Sequence, residues 1–93
     1  MKNSVLIVED EQLMREIVKD YFEDAYFEVF EAKTGAEAME YVECRDFDII
    51  LLDIMLPETD GFSILRQVRR TKDTPVIMIT ARSDDEDKLM GYE

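Results

Sequence analysis

Three unbroken apolar runs constrain this chain more than any other feature. Val5-Leu6-Ile7-Val8, Ile49-Ile50-Leu51-Leu52 and Val76-Ile77-Met78-Ile79 lack the polar alternation of a strand with one wet face. Such strands are buried on both sides, as in a parallel sheet covered by helices. A shorter run, Val29-Phe30, falls between the first two. The intervals carry helical spacing instead. Leu13, Met14, Ile17, Val18, Tyr21 and Phe22 recur at i, i+4 as one apolar stripe. Ala38, Met39 and Val42 repeat the pattern more weakly, and Phe62, Leu65 and Val68 form a third stripe. The order is therefore β-α-β-α-β-α-β-α, which implies right-handed crossovers and a parallel α/β sheet.

Local signals mark where the helices begin. Thr34-x-x-Glu37 and Ser83-x-x-Glu86 fit a capping box, in which hydroxyl and carboxylate satisfy orphan backbone donors. Asp60-Gly61 marks a turn able to cap the third helix, and Pro75 opens the fourth strand where a missing N–H does no harm. A fourth helix opening at Asp84 would run only about two turns by Glu93, short of the usual three or four. The expectation is one domain over residues 1–93, incomplete at its C-terminal end.

Composition narrows the chemistry. The 93 residues suffice for one small domain. No apolar run approaches the roughly 20 residues of a membrane span. The first run is too short for a signal-peptide core, which gives a cytoplasmic reading. A net charge of −12 opposes direct binding to nucleic acid. The single Cys44 cannot form an internal disulfide and reads as a helix residue without a chemical role. Histidine is absent, which removes His-type zinc sites, Ser-His and Cys-His pairs and any phosphohistidine on this chain.

Carboxylates remain. In open α/β sheets ligands bind beyond the carboxyl ends of the strands. The residues there are Glu9 and Asp10 after the first run, Asp53 after the third and Thr80 after the fourth. Two carboxylates about 6 Å apart repel by roughly 3 kcal/mol at an effective dielectric near 20. A hard divalent cation removes that cost, and Mg²⁺ suits one or two carboxylates, waters and phosphate oxygens. Taken singly, Asp10 reads as a helix N-cap, Asp53 as a turn cap and Thr80 as a strand end. Their convergence on one edge favours a cation site beside a nucleophilic carboxylate.

Three blocks carry a family resemblance. Val5-Leu6-Ile7-Val8-Glu9-Asp10-Glu11 resembles the acid-pair strand of response-regulator receiver domains. Asp48 through Pro57, followed by Asp60-Gly61, is similar to their phosphoacceptor segment, and Pro75 through Arg82 to their switch segment. The resemblance implies a flavodoxin-like doubly wound α/β fold with parallel strand order 2-1-3-4. It implies phosphorylation of Asp53 by a partner sensor histidine kinase. Mg²⁺ would be held by Glu9, Asp10, Asp53 and the backbone carbonyl of Met55. Thr80 would contact the phosphoryl group and act as the switch. Pro57 and Gly61 would shape the loop after Asp53, and Arg82 would modulate the lifetime of the phosphoryl group.

The chain departs from the family in lacking the fifth-strand lysine, the aromatic switch residue and the fifth helix; Lys88 is a poor substitute. Residues 81–88 resemble receivers of winged-helix transcription regulators, which implies an output domain elsewhere that binds DNA. Missing a fifth strand, the fourth would be an apolar edge, so either association as a homodimer or strand-exchanged oligomer, or incomplete folding, is expected. Three other readings compete. A haloacid-dehalogenase-type phosphohydrolase needs a second Asp at position 55, where Met stands. A flavodoxin-type flavin module needs a phosphate-binding loop where Glu9-Asp10-Glu11 lies. An interaction module that is never phosphorylated fits the missing lysine. The reading carried forward is a phosphoacceptor and not an enzyme.

Overall fold

The structure, a computed structural model, describes residues 2–56, 60–79 and 89–92, the last four by backbone alone. Strand β1 (Ser4–Val8) leads into helix α1 (Gln12–Asp24), β2 (Glu28–Ala32), α2 (Gly35–Cys44), β3 (Ile49–Asp53), α3 (Gly61–Arg69), β4 (Val76–Ile79) and β5 (Leu89–Tyr92). The four apolar runs are the four parallel strands, in spatial order β2-β1-β3-β4. Every residue of β1 is buried, as expected for a strand with a neighbour on each side and helices on both faces. Val8 is level with both Ala32 and Leu52, so the next rung brings Glu9 and Asp53 side by side at the carboxyl edge.

The two faces are unequal. Beneath α2 and α3 lies the larger core, which includes Leu6, Val8, Val42, Phe47, Leu52, Ile64, Val68 and Met78. Beneath α1 the buried set is Val5, Ile7 and Leu51, with Val18, Phe22, Phe27 and Ile77 packed around it. The predicted apolar stripe of α1 splits accordingly. Met14, Val18 and Phe22 are half-buried, whereas Leu13, Ile17 and Tyr21 stand 64%, 59% and 69% exposed. Adjacent i, i+4 rows point about 100° apart, and only one of them meets the sheet. In α3 the buried residues are Gly61, Ile64 and Val68, with Leu65 half-buried and Phe62 outside.

Caps follow the sequence closely. Thr34 Oγ1 accepts from the Glu37 N–H at 3.1 Å, and Glu37 Oε1 accepts from the Lys33 N–H at 2.8 Å. Asp60 Oδ1 accepts from the Ser63 N–H at 2.8 Å and so starts α3. Helix α1 ends in a Schellman arrangement. Tyr26 takes a φ of 68°, the Phe27 N–H donates to the Phe22 carbonyl at 3.0 Å, and the two rings lie 5.0 Å apart. Lys72 closes the end of α2 by donating to the carbonyls of Val42 and Arg45 at 2.9 and 3.2 Å.

One expectation is corrected. Leu89–Tyr92 is not the second turn of a helix but β5, antiparallel to β4, with a register shift between Met78 and Ile79. The unpaired edge of β4 offers backbone hydrogen bonds that a two-turn helix containing Gly91 cannot match. The bare β4 edge expected from the sequence is therefore covered by the chain itself. Pro57, Thr80, Arg82, Lys88 and the Ser83–Glu86 box lie outside the described residues. Among the described residues no helix is long and apolar enough to cross a membrane.

Candidate metal centre

Glu9 leaves β1, Asp10 follows it in the loop to α1, and Asp53 ends β3. One carboxylate oxygen from each lies within 4.8 Å of the other two. Glu9 and Asp53 are 1% and 2% exposed, whereas Asp10 faces solvent. Asp10 does not cap α1. Glu11 holds that position and makes no side-chain cap bond. Asp53 Oδ1 accepts from the Met55 N–H at 3.0 Å, which fixes the start of the turn beyond β3. Met55 is thereby held two residues past Asp53, with its side chain exposed.

The turn returns to the sheet through Gly61. Its N–H donates to the Ile54 carbonyl at 2.8 Å, and Met55 bridges Asp60. No glycine of the described chain has a positive φ, so Gly61 serves by having no Cβ rather than by a left-handed backbone.

Electrostatics single out Glu9. Its Oε2 accepts from the Glu11 N–H at 3.0 Å, while Oε1 is buried without a hydrogen-bond partner among the described residues. Burial pushes the Glu9 carboxyl up to about 7, and the negative charges of Asp53 and Asp10 add to this against the pull of the Glu11 N–H. A buried orphan oxygen beside two further carboxylates fits a hard cation. Oxygens around Mg²⁺ stand roughly 2.9–4.2 Å apart for bonds of about 2.0–2.1 Å, so three within 4.8 Å need little adjustment.

Sequence reasoning passed over Arg15, which is buried against this loop and ion-paired with Glu31 of β2 at 3.2 Å. A helical arginine ordinarily reads as solvated. Its main partners are backbone carbonyls, which the residue sequence does not record.

A doubly wound sheet with clustered acids at the carboxyl edge of its central strands defines a class of open α/β domain whose ligands bind at that edge. Within that class the chain belongs to the response regulator receiver domain family, whose model matches residues 5–93. It is 42% identical over 93 residues to the transcriptional regulatory protein SrrA of Staphylococcus aureus (strain NCTC 8325 / PS 47), covering all of this chain and 39% of that protein. The chain thus spans about two fifths of the length of such curated relatives. Among solved structures it resembles response regulator TrrA of Thermotoga maritima in complex with Mg²⁺-BeF. The TM-score is 0.81 at 32% identity, over 89% of this chain and 72% of that one. Chemotaxis response regulator CheY4 of Vibrio cholerae gives a TM-score of 0.83 at 32% identity, over 90% and 72% of the two chains.

Proposed function

We propose that this domain is a phosphoacceptor in which Asp53 receives a phosphoryl group from a histidine of a partner sensor kinase. The observation that carries this reading is the buried Asp53 carboxylate at the end of β3, grouped with Glu9 and Asp10 around one point. An Asp53 oxygen attacks phosphorus, the P–N bond to the partner's imidazole breaks, and that nitrogen keeps the electron pair and takes a proton from water. Glu9, Asp10 and Asp53, with the backbone carbonyl of Met55, would hold Mg²⁺, which offsets charge on the phosphoryl oxygens. The Met55 N–H keeps Asp53 in register for attack. Thr80 supplies the contact that senses the bound phosphoryl group.

The domain is a stoichiometric acceptor and not an enzyme in turnover, and it works in the cytoplasm. Its output is transcription, through a DNA-binding part outside these residues; the name and length of the SrrA relative support this. The receiver itself, at −12, stays off nucleic acid.

Incubation with acetyl phosphate and Mg²⁺ tests the reading. Intact mass should rise by one phosphoryl group, hydroxylamine should remove it, and Asp53→Asn should take up none. No adduct at all would leave the interaction module in place of the proposal, and phosphate found on Thr80 would overturn the mechanism.

A further inference from the structure

Arg15 is the only buried basic side chain among the described residues, and most of its hydrogen bonds go to backbone rather than to an acid. Its Nη1 donates to the Glu9 carbonyl at 2.9 Å and to the Asp10 carbonyl at 3.2 Å, while Nε donates to Glu31 Oε1 at 3.2 Å. The Asp10 carbonyl belongs to the same peptide unit as the Glu11 N–H. That N–H donates to Glu9 Oε2 at 3.0 Å. In a planar trans peptide the two groups point in opposite directions. One rigid unit is thus gripped at its oxygen by a guanidinium and at its nitrogen by the Glu9 carboxylate. The guanidinium polarises the peptide and strengthens the bond at the far end.

This arrangement decides which Glu9 oxygen is engaged. Oε2 is held by the loop, and Oε1 is left buried without a partner among the described residues, beside Asp10 and Asp53. We infer that Arg15 is a positioning residue of the cation site: through the Asp10–Glu11 peptide it holds Glu9 Oε2 and leaves Oε1 as the oxygen that faces the metal. The inference rests on the acid cluster being a cation site, as proposed above.

A purely Coulombic role makes the opposite prediction. A guanidinium near a cation site repels the incoming ion, so its removal would tighten binding. Positioning predicts weakening. The 93-residue chain is titrated with Mg²⁺ by NMR as wild type, Arg15→Gln and Glu31→Gln. Arg15→Gln should weaken Mg²⁺ roughly tenfold, the scale seen when groups that orient metal ligands are removed. In the metal-free protein its Glu11 amide proton should move upfield as the bond to Glu9 loosens. Glu31→Gln breaks the ion pair but spares both carbonyl contacts, so its affinity should stay within about twofold of wild type and its Glu11 amide should not move. Equal or tighter Mg²⁺ binding by Arg15→Gln overturns the inference, as does an equal loss in Glu31→Gln. Should Arg15→Gln not fold, Arg15→Lys is read instead, since it keeps the charge and loses the fork. Weaker binding with a shifted Glu11 amide then supports positioning, and wild-type behaviour overturns it. If wild type itself does not respond to Mg²⁺, the cation reading fails, and the metal-free Glu11 amide still judges the part played by Arg15.

Discussion

Gly61 lies so close to Asp53 that a Cβ built on it would stand 2.7 Å from the Asp53 carbonyl oxygen and 2.9 Å from the Ile54 Cα. Both obstacles are backbone, so no side-chain rotation relieves them. Gly61→Ala should therefore push the start of α3 off the end of β3. The expected cost is about 1–3 kcal/mol, the range for forcing atoms into a packed site. Urea unfolding should show the lower midpoint, and Mg²⁺ should bind more weakly because the turn beyond Asp53 moves. A wild-type midpoint would mean that the turn has slack the structure does not show.

Glu9 makes metal-free stability depend on pH. Its carboxyl stands at about 7 in the folded chain against an ordinary 4.5, so the fold binds this proton more tightly than the unfolded chain does. The stabilisation is complete below about 4.5 and is lost as pH rises through 7, with an upper limit near 3 kcal/mol. Denaturation in EDTA at pH 5.5 and pH 8 should show the lower pH to be more stabilising, and Glu9→Gln should flatten the difference. Removing a neighbouring charge acts in the same sense. Asp10→Asn should raise the metal-free midpoint at pH 8 by a repulsion of order 1–3 kcal/mol. A fall instead would mark Asp10 as a structural residue of the loop.

Pairing of β5 with β4 predicts how the chain responds to shortening. Deletion of residues 89–93 should bare the β4 edge and its row of unpaired backbone groups. Sedimentation velocity should then show association that grows with concentration, beyond anything the 93-residue chain shows. Equal behaviour of the two chains would mean that β5 does not protect this edge.

Three of the four parallel strands were legible almost to the residue, and β2, read only as Val29-Phe30, runs from Glu28 to Ala32. Val76–Ile79 is both the apolar run and the strand, and the rung after Val8 and Leu52 places Glu9 beside Asp53 as strand-end logic requires. Capping by Thr34 and Asp60 was equally plain, because a cap is decided within four residues. Three features escaped. Helical period gives the width of an apolar stripe but not which of two adjacent rows meets the sheet, so the stripe includes Leu13, Ile17 and Tyr21, which face solvent. Leu89–Tyr92 takes its conformation from the free edge of the preceding strand, β4, rather than from its own residue pattern. Arg15 was missed because its partners are backbone carbonyls, and those leave no mark in the residue sequence.

The outward row Leu13, Ile17 and Tyr21 has a colloidal consequence. Three large apolar side chains in line on one helix are a sticky stripe on a molecule of this size. What keeps two molecules apart at low salt is the mutual repulsion of two bodies each carrying −12. That repulsion reaches about 10 Å at 0.1 M salt and only about 3 Å at 1 M. Sulfate salts also strengthen apolar burial. Dispersal of this domain is therefore electrostatic in origin, and it should salt out at lower ammonium sulfate than a Tyr21→Glu variant of the same fold.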